Sequence, residues 1–245
     1  SQAGCSLACT FCATGAQKFQ RNLTVAEIVG QYMALPQSNP GHPRPITNLV
    51  FMGQGEPLYN WRNLASSIEI LTDPKGLKLG RSKVTISTSG IAPLIPKIAT
   101  DLGVGLAVSL HAPSDELRSR IMAINKTYPL ETLMKACQAY LKEASSATRR
   151  ITFEYVMLDG VNDDPAGMPE QLSQLILAHF PPDQIHINLL PFNKWPGAPY
   201  KCSPVIRINR FKDALQSHGI PCTVRTPKGR DIWAACGQLR HQAQV

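Results

Sequence analysis

Apolar and polar positions follow two rhythms along this chain. Short apolar runs rich in β-branched residues occur at 48–52 (NLVFM), 83–87 (KVTIS), 105–110 (GLAVSL), 151–157 (ITFEYVM) and 185–190 (IHINLL). Each is bounded by Gly, Pro or polar residues, the signature of a buried strand. Segments with helical spacing lie at 24–35, 60–71, 93–99, 130–144, 167–179 and 207–218. The first opens with Thr24 and Glu27, three residues apart, as in a capping box. In the fourth, Leu133, Ala136, Cys137, Tyr140 and Leu141 share one apolar face, so Cys137 is expected in the core. Strand and helix alternate to the end. That order predicts a parallel sheet with outer helices, either an open doubly wound sheet or a partial barrel. The Pro/Gly-rich stretch 36–45 (PQSNPGHPRP) is too short to divide domains and reads as a surface loop. The whole of 1–245 therefore reads as one domain.

In such sheets the chemistry gathers just beyond the C-terminal ends of the strands. There the sequence places Gly53-Gln54-Gly55-Glu56-Pro57, Thr88-Ser89-Gly90, His111-Ala112-Pro113, Asp159-Gly160 and Pro191-Phe192-Asn193. They are polar, Gly-rich and varied, as the wall of a ligand site would be.

Composition narrows the class. With 43% hydrophobic and 17% charged residues the chain suits a globular protein. No run of about 18 apolar residues is present to cross a membrane, and no secretory signal is seen. Seven cysteines in 245 residues do not resemble a disulfide-stapled fold. They point to metal or redox chemistry in a reducing, cytoplasmic setting. The chain opens on Ser1 rather than Met, so it is read as a fragment lacking an N-terminal accessory region. An organellar location stays open, because a transit peptide would be lost with that region. A net charge of +8 implies an acidic partner, most often nucleic acid. The segments 194–210 and 225–230 carry the Arg and Lys residues expected to meet phosphates.

Three of the cysteines crowd into residues 4–15 (GCSLACTFCATG) as C-x3-C-x2-C: Cys5, Cys9 and Cys12. A zinc site would need a fourth ligand from Cys137, Cys202, Cys222, Cys236 or a His. Three unrelated thiols are a second reading. The third is a 4Fe-4S cluster in which these thiols hold three irons and the fourth iron is open to a small molecule. This spacing, near the start of a run of β/α units, resembles the radical S-adenosylmethionine (SAM) superfamily. The resemblance implies a partial (β/α) barrel, SAM chelated on the open iron, and its cleavage to a 5'-deoxyadenosyl radical.

Seven further blocks follow in order: FQRNLT (19–24), FMGQGEPL (51–58), STSG (87–90), SLHAP (109–113), FEYVMLDGVND (153–163), NLLPFN (188–193) and AACGQL (234–239). Together they resemble the RlmN/Cfr family of radical SAM RNA adenine methyltransferases over essentially the whole chain. The run Trp195-Pro196-Gly197-Ala198-Pro199-Tyr200 looks like the branch that methylates carbon 2 of adenine. The carbon-8 (Cfr) branch or another radical SAM reaction is the alternative. The resemblance implies an enzyme acting on 23S rRNA and on tRNA, with an electron donor such as flavodoxin or ferredoxin, working as a monomer. It assigns Gly55 and Glu56 to the SAM amino group, Ser87, Ser109, Leu110 and His111 to ribose and carboxylate contacts, and Asn193 to the adenine side. Cys236 matches the methyl carrier: it is methylated by one SAM, loses a hydrogen atom to the radical from a second, and the carbon radical adds to adenine. Adenine carbon 2 is not nucleophilic, which is why direct displacement fails. The cations near Cys236 (Arg225, Lys228 and Arg230) are expected to favour its thiolate. The family resolves the RNA adduct with a second cysteine and a Glu upstream of residue 1, so the chain as given is expected to bind cluster and SAM without turning over. A zinc or electron-transfer module without chemistry is the remaining rival.

Overall fold

The computed structural model describes residues 1–38 and 46–239. The antiparallel pair β1 (Gln2–Ala3) and β2 (Arg21–Asn22) closes the loop that carries Cys5, Cys9 and Cys12. After it come α1 (Val25–Ser38), β3 (Leu49–Phe51), α2 (Trp61–Thr72), β4 (Val84–Thr88), α3 (Ile95–Lys97), β5 (Gly105–Ser109) and α4 (Asp115–Ile121). The chain continues with α5 (Leu130–Glu143), β6 (Ile151–Met157), α6 (Met168–Leu177), β7 (Ile185–Pro191), α7 (Val205–Ser217) and β8 (Cys222–Val224).

Strands β3 to β8 form one parallel sheet in strict chain order. A doubly wound sheet reverses its direction of growth at a switch point, and this one never does. Right-handed crossovers then put successive helices on the same face, which gives the partial (β/α) barrel rather than the open sheet. One strand face is apolar: Val84, Ile86, Leu106, Val108, Ile151, Phe153, Ile185 and Ile187 pack with Leu64, Ile68, Leu133 and Ile176 of the helices. Cys137 lies in that core, fully buried. The opposite face carries Ser109, Glu154, Asn188 and Thr223, which stand side by side across four strands. Alternation along a strand turns consecutive residues to opposite faces, so runs that read as wholly buried are buried on one side and polar on the other.

The capping box at the start of α1 is formed. Glu27 accepts from the Thr24 backbone N–H at 2.8 Å, and the Glu27 N–H donates to Thr24 Oγ1 at 3.3 Å. Four expectations need correction. The stretch 36–45 does not begin as a loop, because the backbone of α1 runs on through Pro36 to Ser38; residues 39–45 lie outside the described residues. The helix expected at 93–99 is broken into a 3-10 turn (Ala92–Leu94), α3 and a π-helical turn (Ile98–Leu102). Pro93 and Pro96 supply no N–H to a regular ladder. Helix α4 was not anticipated; it starts on Ser114, whose Oγ accepts from the Leu117 N–H at 3.4 Å. Strand β8 is only three residues long and was also missed. Among the described residues no helix is long and apolar enough to cross a membrane.

Candidate active site

The three-thiol loop lies over the C-terminal ends of the strands and walls one open cavity of about 1040 Å³, mouth included. Every residue assigned from the sequence to the cluster, to SAM or to methyl transfer lines it except Leu110. Ser109 and His111 face the cavity, so strand alternation turns the Leu110 side chain into the core, where it is fully buried. The Leu110 backbone is bonded away from the cavity too, the N–H to the Glu154 carbonyl at 3.0 Å and the carbonyl to Arg118 Nε at 3.0 Å.

The thiol loop is tightly wound. The Cys12 N–H donates to the Cys9 carbonyl at 3.1 Å, and Thr10 donates to the Ile121 carbonyl at 3.0 Å. At Gly15 any Cβ would come within 2.7 Å of the Cys9 carbonyl oxygen, so only glycine lets the loop close there. Burial pushes the Cys5 and Cys9 thiols up, and the neighbouring thiols push Cys9 further. Such a set holds its negative charge only when a cation shares it. Among the described residues no three His, Cys, Asp or Glu converge closely enough for a single ion. That disfavours zinc but not a 4Fe-4S cluster, whose thiols bind separate irons and stand apart. The donor set and its open side toward the strand ends fit such a cluster.

Glu56 is buried yet reaches the cavity. Its carboxylate accepts from the Leu58 N–H at 3.1 Å and the Ser89 N–H at 2.7 Å, tying the loops after β3 and β4 together. Burial raises its pKa, and those two donors oppose the rise. Gly55 has φ +86, and a side chain there would overlap Gln2, whose Oε1 accepts from the Glu56 N–H at 2.8 Å. His111 also sits in the left-handed region, at φ +61. Its Nδ1 accepts from the Val156 N–H at 3.0 Å, which leaves the proton on Nε2. Burial, and then the charge of Arg118, hold the imidazole down to about 3, so it is neutral at neutral pH.

Two residues of the site were not foreseen. Glu154 lines the cavity from β6, with one oxygen accepting from Asn188 Nδ2 at 2.9 Å. Burial pushes its carboxyl up to about 7, against the pull of Arg225 and Asn188. A lone carboxylate inside the apolar run FEYVM was the available signal. Arg118, on α4, is fully buried behind the wall. It donates to the carbonyls of Leu110 (3.0 Å), Ser89 (2.7 Å) and Ser109 (3.0 Å) and to Asn125 Oδ1 (2.8 Å). It therefore fixes the ends of β4 and β5 from behind. Arg118→Met should strip those carbonyls of donors and cost about 3 kcal/mol or more. Chemical denaturation would measure it, with exposed Lys126→Met as the control. A loss under about 1 kcal/mol would mean that water replaces the guanidinium there.

Cys236 lines the cavity beside the thiol loop. The downstream flank of its loop is laced to neighbours: Ala13 N–H to the Gly237 carbonyl at 2.8 Å, Thr14 Oγ1 to the Leu239 carbonyl at 2.6 Å, and Gln238 Nε2 to the Lys194 carbonyl at 2.8 Å. The run 195–200 braces the thiol loop as well, through Trp195 Nε1 to the Phe11 carbonyl at 3.1 Å and Tyr200 with Thr10 at 2.8 Å. Solvent reaches Cys236 through the cavity mouth, but the surrounding protein pushes its thiol up to about 11, with Cys12 adding to the rise and Arg225 opposing it. The expected thiolate is thus not favoured, because burial outweighs the nearby cation. A second hollow adjoins the cavity at Cys236 and Arg225, which line both, and continues to Thr226, Pro227 and Lys228. Asn193 donates to the Cys236 carbonyl at 3.0 Å and accepts from Arg230 Nε at 2.7 Å.

A family model for the radical SAM superfamily matches residues 1–168. Dual-specificity RNA methyltransferase RlmN of Beijerinckia indica is 46% identical, over all of this chain and 64% of its own length. The RlmN of Parvibaculum lavamentivorans is 48% identical, over 99% of this chain and 61% of its own. The chain thus spans about three fifths of the length of these curated relatives. A solved radical SAM methyltransferase from Sphaerobacter thermophilus superposes with a TM-score of 0.92 at 44% identity, covering 98% of this chain and 69% of that one. On the thiol loop, the sequential parallel sheet and identity along its whole length, this chain belongs to the radical SAM superfamily, whose cofactors are a 4Fe-4S cluster and SAM, and within it to the radical SAM methyltransferases.

Proposed function

We propose that this chain is the core, a single unit over 1–245, of an RNA methyltransferase that places a methyl group on carbon 2 of an adenine through Cys236. The observation that carries the reading is the position of Cys236 at the junction of two hollows. One is walled by Cys5, Cys9, Cys12 and the strand ends, and the other is basic and open. A carrier must face both cofactor and substrate, and a residue lining both hollows meets that requirement. Bound in the first hollow, cluster and SAM supply methyl groups and a hydrogen-abstracting radical. Cys5, Cys9 and Cys12 would hold the irons. Glu56, Ser87, Ser109, His111 and Asn193, with the backbone of Gly55, would bind and orient SAM. Cys236 Sγ takes the methyl, and its carbon, short of one hydrogen, is joined to adenine. The Trp195–Tyr200 brace on the thiol loop is the feature we connect with carbon 2 over carbon 8.

The substrates named for the curated relatives are RNA, and we infer rRNA and tRNA for this chain. A cytoplasmic setting, a monomeric state and a flavodoxin- or ferredoxin-like electron donor complete the reading. Mass spectrometry of adenines in RNA from cells lacking the gene tests it. Loss of 2-methyladenine supports the assignment, whereas loss of 8-methyladenine, or of neither, overturns it.

Phosphate contacts should dominate RNA affinity. The net charge is +8, and Lys194, Lys201, Arg210, Arg225, Lys228 and Arg230 are exposed. Arg207 does not join them, because it bridges Asp159 at 2.8 Å and Asp163 at 2.9 Å. Affinity should fall by roughly tenfold or more between about 50 and 200 mM salt. A flat response in a filter-binding titration would argue against this surface.

A further inference from the structure

Cys236 stands in a loop whose two flanks are held differently. Downstream, the Gly237 and Leu239 carbonyls accept from Ala13 and Thr14 of the thiol loop, and Gln238 donates to the Lys194 carbonyl. Upstream, the chain between Gly229 and Ala234 folds back on itself through the Ala234 N–H to the Gly229 carbonyl, at 2.8 Å. Ile232 and Trp233 on that flank are exposed, and Trp233 has φ +55. Among the described residues, the side-chain hydrogen bonds from this side to the sheet run through Asn193 at the end of β7: Arg230 Nε donates to its Oδ1 and its Nδ2 donates to the Cys236 carbonyl.

The arrangement fixes Asn193. A guanidinium can only donate and a carbonyl can only accept. The amide oxygen must therefore point to Arg230 and its nitrogen to Cys236. Each end of the amide still has one hydrogen-bonding position left, so a ligand in the cavity can be met without breaking either bond. Asn193 is buried and lines both hollows.

We propose that Arg230, Asn193 and Cys236 form a clasp, with Arg230 as its positioning residue, which holds the Cys236 loop shut against the cofactor side of the cavity. The inference rests on Cys236 being the methyl carrier for its significance, but not for its test. Without Arg230 the amide can turn over, the bond to the Cys236 carbonyl is lost, and the upstream flank swings out while the downstream flank stays laced. Cys236 already meets solvent at the cavity mouth, and with its loop swung out the thiol is open to bulkier reagents as well.

The test is the rate at which a bulky maleimide labels Cys236, read by peptide mass spectrometry on the anaerobic, cluster-loaded protein without SAM or RNA. Arg230→Ala should label roughly tenfold faster, the factor that one such hydrogen bond is worth. Arg230→Gln should label at the wild-type rate, since its Nε2 occupies the position of the lost Nε and donates the same bond without the charge. Lys228→Ala removes a charge from the same loop and should not speed labelling. Cys202 is exposed and lies within reach of the Arg230 charge, so it reports the electrostatic change alone and should react no faster in Arg230→Ala. Equal Cys236 rates in wild type and Arg230→Ala would overturn the clasp. So would Arg230→Gln labelling as fast as Arg230→Ala, because charge and not the hydrogen bond would then be responsible. None of these outcomes depends on methyl transfer, so the clasp and the carrier role stand or fall separately.

Discussion

Cys236→Ala should abolish adenine methylation, with a fall in rate on the order of a thousandfold or more, while the enzyme keeps its iron and its affinity for SAM. The size follows from the chemistry. Removing a covalent carrier removes the route itself, and the remaining groups cannot replace it. No other thiol can take over: Cys137 and Cys222 are buried in the core, and Cys202 lies outside the cavity. Retention of cluster and SAM follows because Cys5, Cys9, Cys12 and the strand-end wall are separate from the Cys236 side chain. The assay calls for a full-length polypeptide and labelled SAM. In the wild type, digestion should release a peptide containing Ala234-Ala235-Cys236 with one added methyl. With deuterium-labelled methyl groups, the methyl found on RNA should lack one deuterium. A product methyl with all its deuterium, or a variant that still methylates, would contradict the carrier role.

The second large effect is at Cys9. Anaerobic reconstitution of the wild type should give about four irons per chain. Cys9→Ala should reduce that to near zero and remove the iron-linked absorbance. Cys9 is flanked by Cys5 and Cys12, and its carbonyl anchors the turn to Cys12. Losing one of only three protein ligands leaves the cluster with two, in a loop wound around the missing one. Cys202→Ala should load iron like the wild type. Full iron in Cys9→Ala, or zinc in the wild type, would overturn the assignment.

Much of this is legible in the sequence alone. The β/α alternation depends on local periodicity, and periodicity is what a sequence displays. Five strand runs and five helical segments therefore found their counterparts, within a residue or three at their ends. The thiol loop was legible because its residues are neighbours in the chain. What escaped depends on contacts over long distances. Arg118 sits on α4, whose seven residues carry little apolar pattern. Its partners, the carbonyls of Ser89, Ser109 and Leu110, are backbone atoms and leave no mark in the sequence. β8 is three residues held by pairing with β7. Leu110 was grouped with its neighbours because a motif is linear, whereas a strand presents alternate residues. At Cys236 the sequence displays nearby cations, but the burial that outweighs them exists only once the chain is folded.

The closure between the thiol loop and the Cys236 loop has a consequence for how the protein is made. Each strand of the sheet pairs with the next one in the chain, so the sheet can grow outward as the polypeptide emerges from the ribosome. The bond from Thr14 to Leu239, by contrast, spans 225 residues. At about 5–20 residues per second, synthesis of that interval takes on the order of ten to fifty seconds. Throughout that time Cys5, Cys9 and Cys12 are present without the wall that later encloses them. Delivery of iron and sulfide to the nascent chain meets an open mouth, whereas repair of a lost cluster in the finished enzyme must pass the laced loop.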